Sequence, residues 1–268
     1  MKSGIHTRAI MILLTLSMLL PSLATAHNLW LNATDFNPPL SQRAGAHSKV
    51  YFGFGHKFPV DDFLSVDKIR EFNLVGPMGS VPLKAEPGNF PAAPIVMKQA
   101  GAYTVTAATN TGFYTMFEKN GRVQHISATM EGVENIVLSI YFENYAKALI
   151  NVGETSSDAF SQPVGHAIEI VPLENPYHKR VGDYLPVQVL HHGKPARYAT
   201  VAATYVGFSS GEDYAWSSKT NSLGNTSIRL LAPGQWIALV TIRTPPTDEL
   251  KDKCLEIKYS AALSFGVQ

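Results

Sequence analysis

The sequence predicts an all-β protein made of two β-sandwich domains of the immunoglobulin-like (Ig-like) type. Many short segments alternate apolar and polar side chains and are enriched in β-branched and aromatic residues. Turn-forming residues separate these segments at short intervals. Repeated short strands joined by turns are typical of sandwich folds, and only one segment of the chain spaces its apolar residues as a helix does.

The predicted strands form two groups along the chain. The first group lies at residues 49–54, 70–75 and 102–107. The second group lies at residues 167–171, 184–190, 200–205, 226–231, 236–242 and 255–265. Dipeptides with turn chemistry separate many of them, among them Gly76-Pro77, Asn120-Gly121 and Pro233-Gly234.

One segment, residues 133–148, has the apolar spacing of a helix, at Val137, Ile140, Tyr141 and Ala148. We therefore expect at most one short helix in the chain, near this segment. Its aromatic content keeps a strand open as the alternative.

A polar, aperiodic stretch marks the expected domain boundary. Residues 153–158 read GETSSD, and residues 162–165 read QPVG. Such segments are typical of linkers. We expect a first β-sandwich domain at residues 27–152, which holds the candidate metal site, and an Ig-like β-sandwich domain at residues 164–268.

The first 26 residues have the pattern of a cleaved secretory signal. Lys2 and Arg8 precede an apolar run at residues 9–20, and small residues at 24–26 provide the cleavage site before His27. The run is shorter than the roughly 20 apolar residues that span a bilayer. We expect the mature chain to begin at His27, to be periplasmic, and to contain no transmembrane segment.

Charge and cysteine content exclude several function classes. Removal of Lys2 and Arg8 leaves 20 basic against 21 acidic side chains, without a basic run, so nucleic acid is not an expected partner. Cys254 is the sole cysteine, which rules out an internal disulfide. No nucleophile, nucleotide-binding or zinc-protease motif occurs, so no enzyme activity is predicted.

His27 is the first candidate for chemistry. Cleavage before it would leave a free α-amine beside the imidazole of the same residue, and the two nitrogens can chelate one metal ion. Imidazole nitrogen suits nickel, cobalt, copper and zinc, whereas calcium and magnesium prefer several oxygens. The alternative is that histidine stands at the cleavage site by chance.

His56 is the second candidate. It ends the row Val50, Phe52, Phe54, His56, whose side chains share one face if the segment is a strand. Gly53 and Gly55 indicate a bend or the close approach of another segment, which makes room beside the imidazole. A histidine at the core edge that bonds to backbone is the competing interpretation.

The remaining histidines rank lower. His47 and His125 lie in or near predicted loops and are candidates to complete a metal site with His27 and His56. His166 and His178 flank a predicted strand of the second domain. His191 and His192 lie at a hairpin tip, where adjacent strand residues face opposite sides and would not easily share one metal ion.

Several segments of the chain, in order, resemble a known family. They are AHNLWL at 26–31, GHKF at 55–58, FNLVGP at 72–77, YAKALINVG at 145–153, PVGHAIEIVPLENPY at 163–177 and VLHHGKP at 189–195. Together they are similar to periplasmic accessory proteins of nickel and cobalt uptake, a two-part β family classed as a domain of unknown function. The resemblance implies a metal role for the positions of His27 and His56, whereas residues 221–224 and 241–243 depart from the family pattern.

Three functions follow as hypotheses. The first is a non-enzymatic periplasmic protein that binds nickel or cobalt for a membrane metal importer. The second is a terminal-histidine copper site, in a copper-binding protein or an oxidative copper enzyme, because copper binds most nitrogen sites more tightly than nickel or cobalt. The third is a non-catalytic Ig-like binding or scaffold module in which the histidines bind nothing.

Overall fold

A computed structural model describes residues 27–268, and the predicted signal at residues 1–26 lies outside this range. The all-β prediction is confirmed, with two 3-10 turns, Val66–Lys68 and Pro176–His178, as the helical elements of the described chain. The strands are β1 (Asn28–Ala33), β2 (Ala46–Gly55), β3 (Ile69–Gly76), β4 (Gly79–Pro82), β5 (Ala92–Met97), β6 (Gly101–Thr109), β7 (Gly112–Lys119), β8 (Arg122–Ile126), β9 (Ile136–Val152), β10 (Ile168–Pro172), β11 (Tyr184–His191), β12 (Lys194–Pro195), β13 (Thr200–Tyr205), β14 (Trp216–Lys219), β15 (Asn225–Arg229), β16 (Gly234–Thr244) and β17 (Glu256–Val267).

A ten-stranded sheet forms the centre of the protein. Its main path runs β14-β13-β16-β17-β9-β6-β3-β4, and β7 and β8 extend it beside the first half of β9. β9 and β17 pair in parallel, and the other pairs of this sheet are antiparallel. Strands from both halves of the sequence therefore belong to one sheet.

Two smaller sheets pack on the central sheet. Strands β1, β2 and β5 form one of them, and β10, β11, β12 and β15 form the other. Successive residues of a strand face opposite sides, and on β17 Ala262 belongs to the first core whereas Ala261 and Leu263 belong to the second. The two small sheets thus cover opposite faces of the central sheet, and each encloses its own hydrophobic core.

The segment with helical spacing is a strand. Residues 136–152 form β9, so the helix considered near residues 133–148 is not present. Ile136, Val137, Tyr141 and Phe142 are β-branched or aromatic and fit a pleated surface better than a helix. β9 is buried without interruption from Asn144 onward, because partners flank it on both edges and both of its faces are covered. A strand buried on both faces has no alternating pattern that the sequence could reveal.

An irregular connection links β9 to β10 and carries the chain to the other side of the central sheet. The boundary predicted between residues 152 and 164 falls on this connection. The division into two domains stays a prediction, since β9 and β17, from either side of it, pair directly.

A buried ion pair holds this connection in place. Lys147 Nζ on β9 lies 2.8 Å from Glu169 Oε2 on β10, and their side chains are 4% and 2% exposed. Glu169 also accepts the backbone N–H groups of Val164 and Gly165, at 3.0 and 3.1 Å. Both charges are therefore compensated where water does not reach them.

We expect Lys147→Met to lower the free energy of unfolding by about 3 to 5 kcal/mol, because it leaves the Glu169 carboxylate buried without its cation. The double variant Lys147→Met/Glu169→Gln is the control, since it removes the uncompensated charge while the amide oxygen of Gln still accepts one of the two backbone N–H groups. Urea unfolding followed by circular dichroism measures both. A double variant as unstable as the single one would contradict this account of the pair.

Candidate functional site

The pairing of β1 with β2 brings His27 and His56 together. His27 directly precedes β1, His56 directly follows β2, and the antiparallel register places Asn28 opposite Gly55. The centroids of the two imidazole rings are 4.8 Å apart, and the rings meet edge to face. Phe54 packs against His27 at a centroid distance of 4.9 Å. Two residues that are 29 positions apart in the chain thus become neighbours through the register of one antiparallel strand pair.

Gly53 and Gly55 provide the space that the sequence suggested. Trp30 lies opposite Gly53, and a Cβ on Gly53 would be 2.0 Å from the indole nitrogen. The indole N–H donates to the carbonyl oxygen of Pro59 at 3.0 Å, so the ring also fixes the loop after His56. Gly55 has φ +128°, and a Cβ there would be 2.4 Å from the Asp61 carboxylate. The expected close approach of another segment is confirmed at both glycines.

The loop after β2 orients His56 through its backbone. The Asp61 carboxylate accepts the N–H groups of His56 and Lys57, at 2.7 and 3.2 Å. Burial raises the pKa of Asp61, but these two hydrogen bonds and the charges of Lys57 and His56 lower it, and the net pKa lies below its ordinary value. A charged Asp61 therefore holds the turn that presents the His56 side chain.

Opposing charges surround His27. Its Nδ1 atom lies 3.8 Å from Asp62 Oδ2, and its side chain is 38% exposed. Burial lowers the pKa of His27, the neighbouring His56 lowers it further, and Asp62 and Asp61 act in the opposite direction. The net lowered pKa favours the neutral imidazole, which is the form that binds metal ions.

Lys258 on β17 of the central sheet forms a hydrogen bond with the backbone of His27. It is 2% exposed and donates to the His27 carbonyl oxygen at 3.5 Å and to Asn28 Oδ1 at 3.3 Å. Burial lowers the pKa of Lys258 to about 7, and Arg243 acts in the same direction. The central sheet thereby anchors the beginning of β1.

A cavity of about 400 Å³ opens beside His27, and His125 lines it as well. His125 is exposed on β8 and stacks on Tyr114 at a centroid distance of 5.8 Å. Asn144 lies on another wall, and its Oδ1 atom is buried without a hydrogen-bond partner among the described residues. The predicted candidate His125 thus shares a cavity with His27, although no ring contact joins them among residues 27–268.

His47 lies at the other end of β2. It is eight positions before Gly55, which is about 26 Å along the strand at ~3.3 Å per residue. Its ring nitrogen Nε2 is 3.0 Å from the Ala44 carbonyl oxygen at the exposed surface. The extended strand therefore keeps His47 away from His27 and His56. Within residues 27–268, no three or more His, Cys, Asp or Glu side chains are gathered closely enough to hold a metal ion.

Sequence reasoning missed three residues that shape the site. Asp61 and Asp62 lie five and six positions after His56, and this proximity was a usable signal. Lys258 gave no signal, because it is 231 positions from His27 and meets it through the stacking of two sheets.

Comparison with known proteins gives a family and distant structural similarities. A family model described as "Domain of unknown function (DUF4198)" matches residues 24–244. No curated protein matches the chain. Residues 27–268 contain no helix that is long and apolar enough to cross a membrane.

Two solved structures illustrate the similarities. The D0-D1 domain of intimin is 12% identical, with 90% of this chain and 98% of that chain covered and a TM-score of 0.24. The fibronectin(III)-like modules of Clostridium thermocellum CbhA are 10% identical, with 89% and 94% covered and a TM-score of 0.22. Similarities this low carry no conclusion about function.

We expect Gly53→Ala to lower the free energy of unfolding by about 1 to 3 kcal/mol, because the new methyl group overlaps the indole of Trp30. Gly88→Ala is the control, since the nearest atom to a Cβ there is 3.9 Å away. Thermal unfolding of the two variants gives the comparison. Equal stability of both would show that Trp30 can shift freely, and that the close approach does not constrain the loop of His56.

Proposed function

This chain belongs to the DUF4198 family, and we propose that its processed form is a periplasmic protein that binds a transition-metal ion. The ligands in this proposal are the α-amine and imidazole of His27 and the imidazole of His56. The biological role in the proposal is accessory: the protein binds nickel or cobalt for a membrane metal importer, and it has no catalytic function.

The observation that carries the proposal is the 4.8 Å separation of the His27 and His56 ring centroids. Two nitrogen ligands of one metal ion, each at ~2.0 to 2.1 Å, lie at most about 4.2 Å apart. Rings in contact can meet this condition by rotation of their side chains alone. The lowered pKa of His27 supports the proposal further, because protons then compete less with the metal.

The third nitrogen ligand in the proposal is the α-amine of His27, which requires removal of the predicted signal during export. Cleavage before His27 would free its α-amine, which forms a six-membered chelate ring with Nδ1 of the same side chain. Asp62 lies 3.8 Å from that Nδ1 atom, so a carboxylate is at hand to offset the positive charge of the ion.

The donor set selects a class of metals. Three nitrogens without carboxylate or carbonyl oxygens as direct ligands do not suit calcium or magnesium. Nickel, cobalt, copper and zinc are all suited to imidazole, and His125 across the cavity is available to a larger coordination sphere. The periplasmic location rests on the predicted signal at residues 1–26.

Copper is the second candidate, and the all-nitrogen donor set favours it. In the general order of affinities, divalent copper exceeds both nickel and cobalt at such sites. A terminal-histidine copper site would make the protein a copper-binding protein or an oxidative copper enzyme. The third hypothesis, a scaffold module whose histidines bind nothing, is compatible with the all-β fold and predicts no binding at all.

We expect a protein that begins at His27 to bind one equivalent of Ni²⁺ or Co²⁺ in isothermal titration calorimetry. One glycine added before His27 should weaken binding at least tenfold, because it converts the amine into an amide that no longer coordinates at neutral pH. His56→Ala should weaken it similarly, and His47→Ala should leave it unchanged. Unchanged affinity after the glycine addition would contradict the chelate.

Oxygen consumption by the copper-loaded protein separates the metal-carrier proposal from the oxidative copper enzyme. We expect Cu²⁺ to displace Ni²⁺ from the site, as the nitrogen donor set requires. The carrier function further predicts no oxygen consumption by the copper-loaded protein with ascorbate beyond that of free copper at equal concentration. Sustained oxygen consumption that is lost in His56→Ala would favour the oxidative enzyme instead.

A further inference from the structure

A second pair of imidazoles lies at the tip of the β11–β12 hairpin. The centroids of the His191 and His192 rings are 4.3 Å apart, with a tilt of 44° between the rings. The expectation that these neighbours face opposite sides is wrong. Side chains alternate between faces only within a strand, and β11 ends at His191, so that His192 lies in the turn that follows.

The backbone of the turn explains why the rings meet. His192 has φ 50° and Gly193 has φ 72°, so both central residues of this two-residue turn are left-handed. Such turns favour Asn, Asp or Gly at the first position, and histidine adopts the conformation less readily. The sequence therefore carries an imidazole where turn chemistry alone would favour a smaller residue.

The pair lies in a partly enclosed environment. Tyr259 on β17 meets His191 and His192 edge to face, at centroid distances of 4.7 and 5.2 Å. Glu143 on β9 is the register partner of Tyr259. Burial raises the pKa of the Tyr259 phenol, and Glu143 raises it further, so the phenol stays protonated at neutral pH.

His191 has an unused nitrogen. Its Nε2 atom is buried and has no hydrogen-bond partner among residues 27–268. A buried polar atom in this state costs free energy unless something binds it.

We propose that His191 and His192 together bind a transition-metal ion, at a site separate from His27 and His56. Both rings present nitrogen, and rings whose centroids lie 4.3 Å apart are close enough for one nitrogen of each to reach a shared ion at bonds of ~2.0 to 2.1 Å. Copper, zinc and nickel are the ions that imidazole pairs suit. Water completes the coordination, since His191 also lines an open surface cleft of about 580 Å³ beside Thr200 and Thr241.

The two proposed metal sites lie at different places in the fold, and only the first of them requires the free α-amine of His27. Lys258 contacts His27, and the next residue, Tyr259, contacts His191 and His192. Successive strand residues face opposite sides, so the two sites lie on opposite faces of the central sheet. The His191–His192 pair requires no free amine and does not depend on cleavage before His27.

Zinc titration followed by NMR of the histidine rings tests the proposal. In the chain that begins at His27, we expect the ring signals of His191 and His192 to change saturably with added Zn²⁺. The same response is expected after addition of a glycine before His27, which separates this site from the amine chelate. The ring signals of His27 and His56 report the first site in the same spectra, so either proposal can fail alone.

His192→Asn is the decisive variant. Asparagine suits the left-handed turn at least as well as histidine, so the hairpin should be retained and the melting temperature should not fall. We expect the affinity of Zn²⁺ at His191 to drop at least tenfold, whereas His178→Asn, at an exposed histidine, leaves it unchanged. Zinc-insensitive His191 and His192 signals in the unsubstituted chain would overturn the proposal, as would undiminished binding in His192→Asn.

Discussion

The parallel pairing of β9 with β17 is the interaction on which the rest of the structure depends. It joins residues 140–148 to residues 256–264, and within residues 27–268 no other strand pair links the two halves of the central sheet. Each small sheet needs this continuous surface to bury its apolar face. The two hydrophobic cores, and with them the ends of β1 and β11 that carry the histidines, are positioned by this one register.

Much of the strand content could be predicted from the sequence. The predicted segments at 236–242 and 255–265 correspond to β16 and β17, and residues 184–190 correspond to β11. These strands alternate enough, or are rich enough in β-branched residues, to be recognised locally. β9 could not be recognised in this way, because it is covered on both faces and because its buried Lys147 is compensated by Glu169 on another strand.

The contacts within the candidate sites depend on strand register and turn conformation, which the local sequence pattern does not determine. His27 and His56 were each plausible ligands, but their contact depends on the register of β1 against β2, which the sequence does not reveal. Gly53 and Gly55 did carry a readable signal of close approach, and the packing of Trp30 and Asp61 accounts for it. The His191–His192 pair was misjudged for a conformational reason. A single left-handed residue reverses the direction that strand alternation would give to its side chain.

The alternation of Lys258 and Tyr259 has an evolutionary consequence. A single-residue insertion or deletion in β17 before Lys258, if no β-bulge absorbs it, would move Lys258 and Tyr259 to opposite faces, so that Lys258 would face His191 and His192 and Tyr259 would face His27. Changes of two residues would preserve the faces and shift only the position along the strand. The number of residues inserted or deleted in this part of β17 should therefore be even. Homologous chains that retain both histidine pairs should differ in the length of this strand by even numbers of residues.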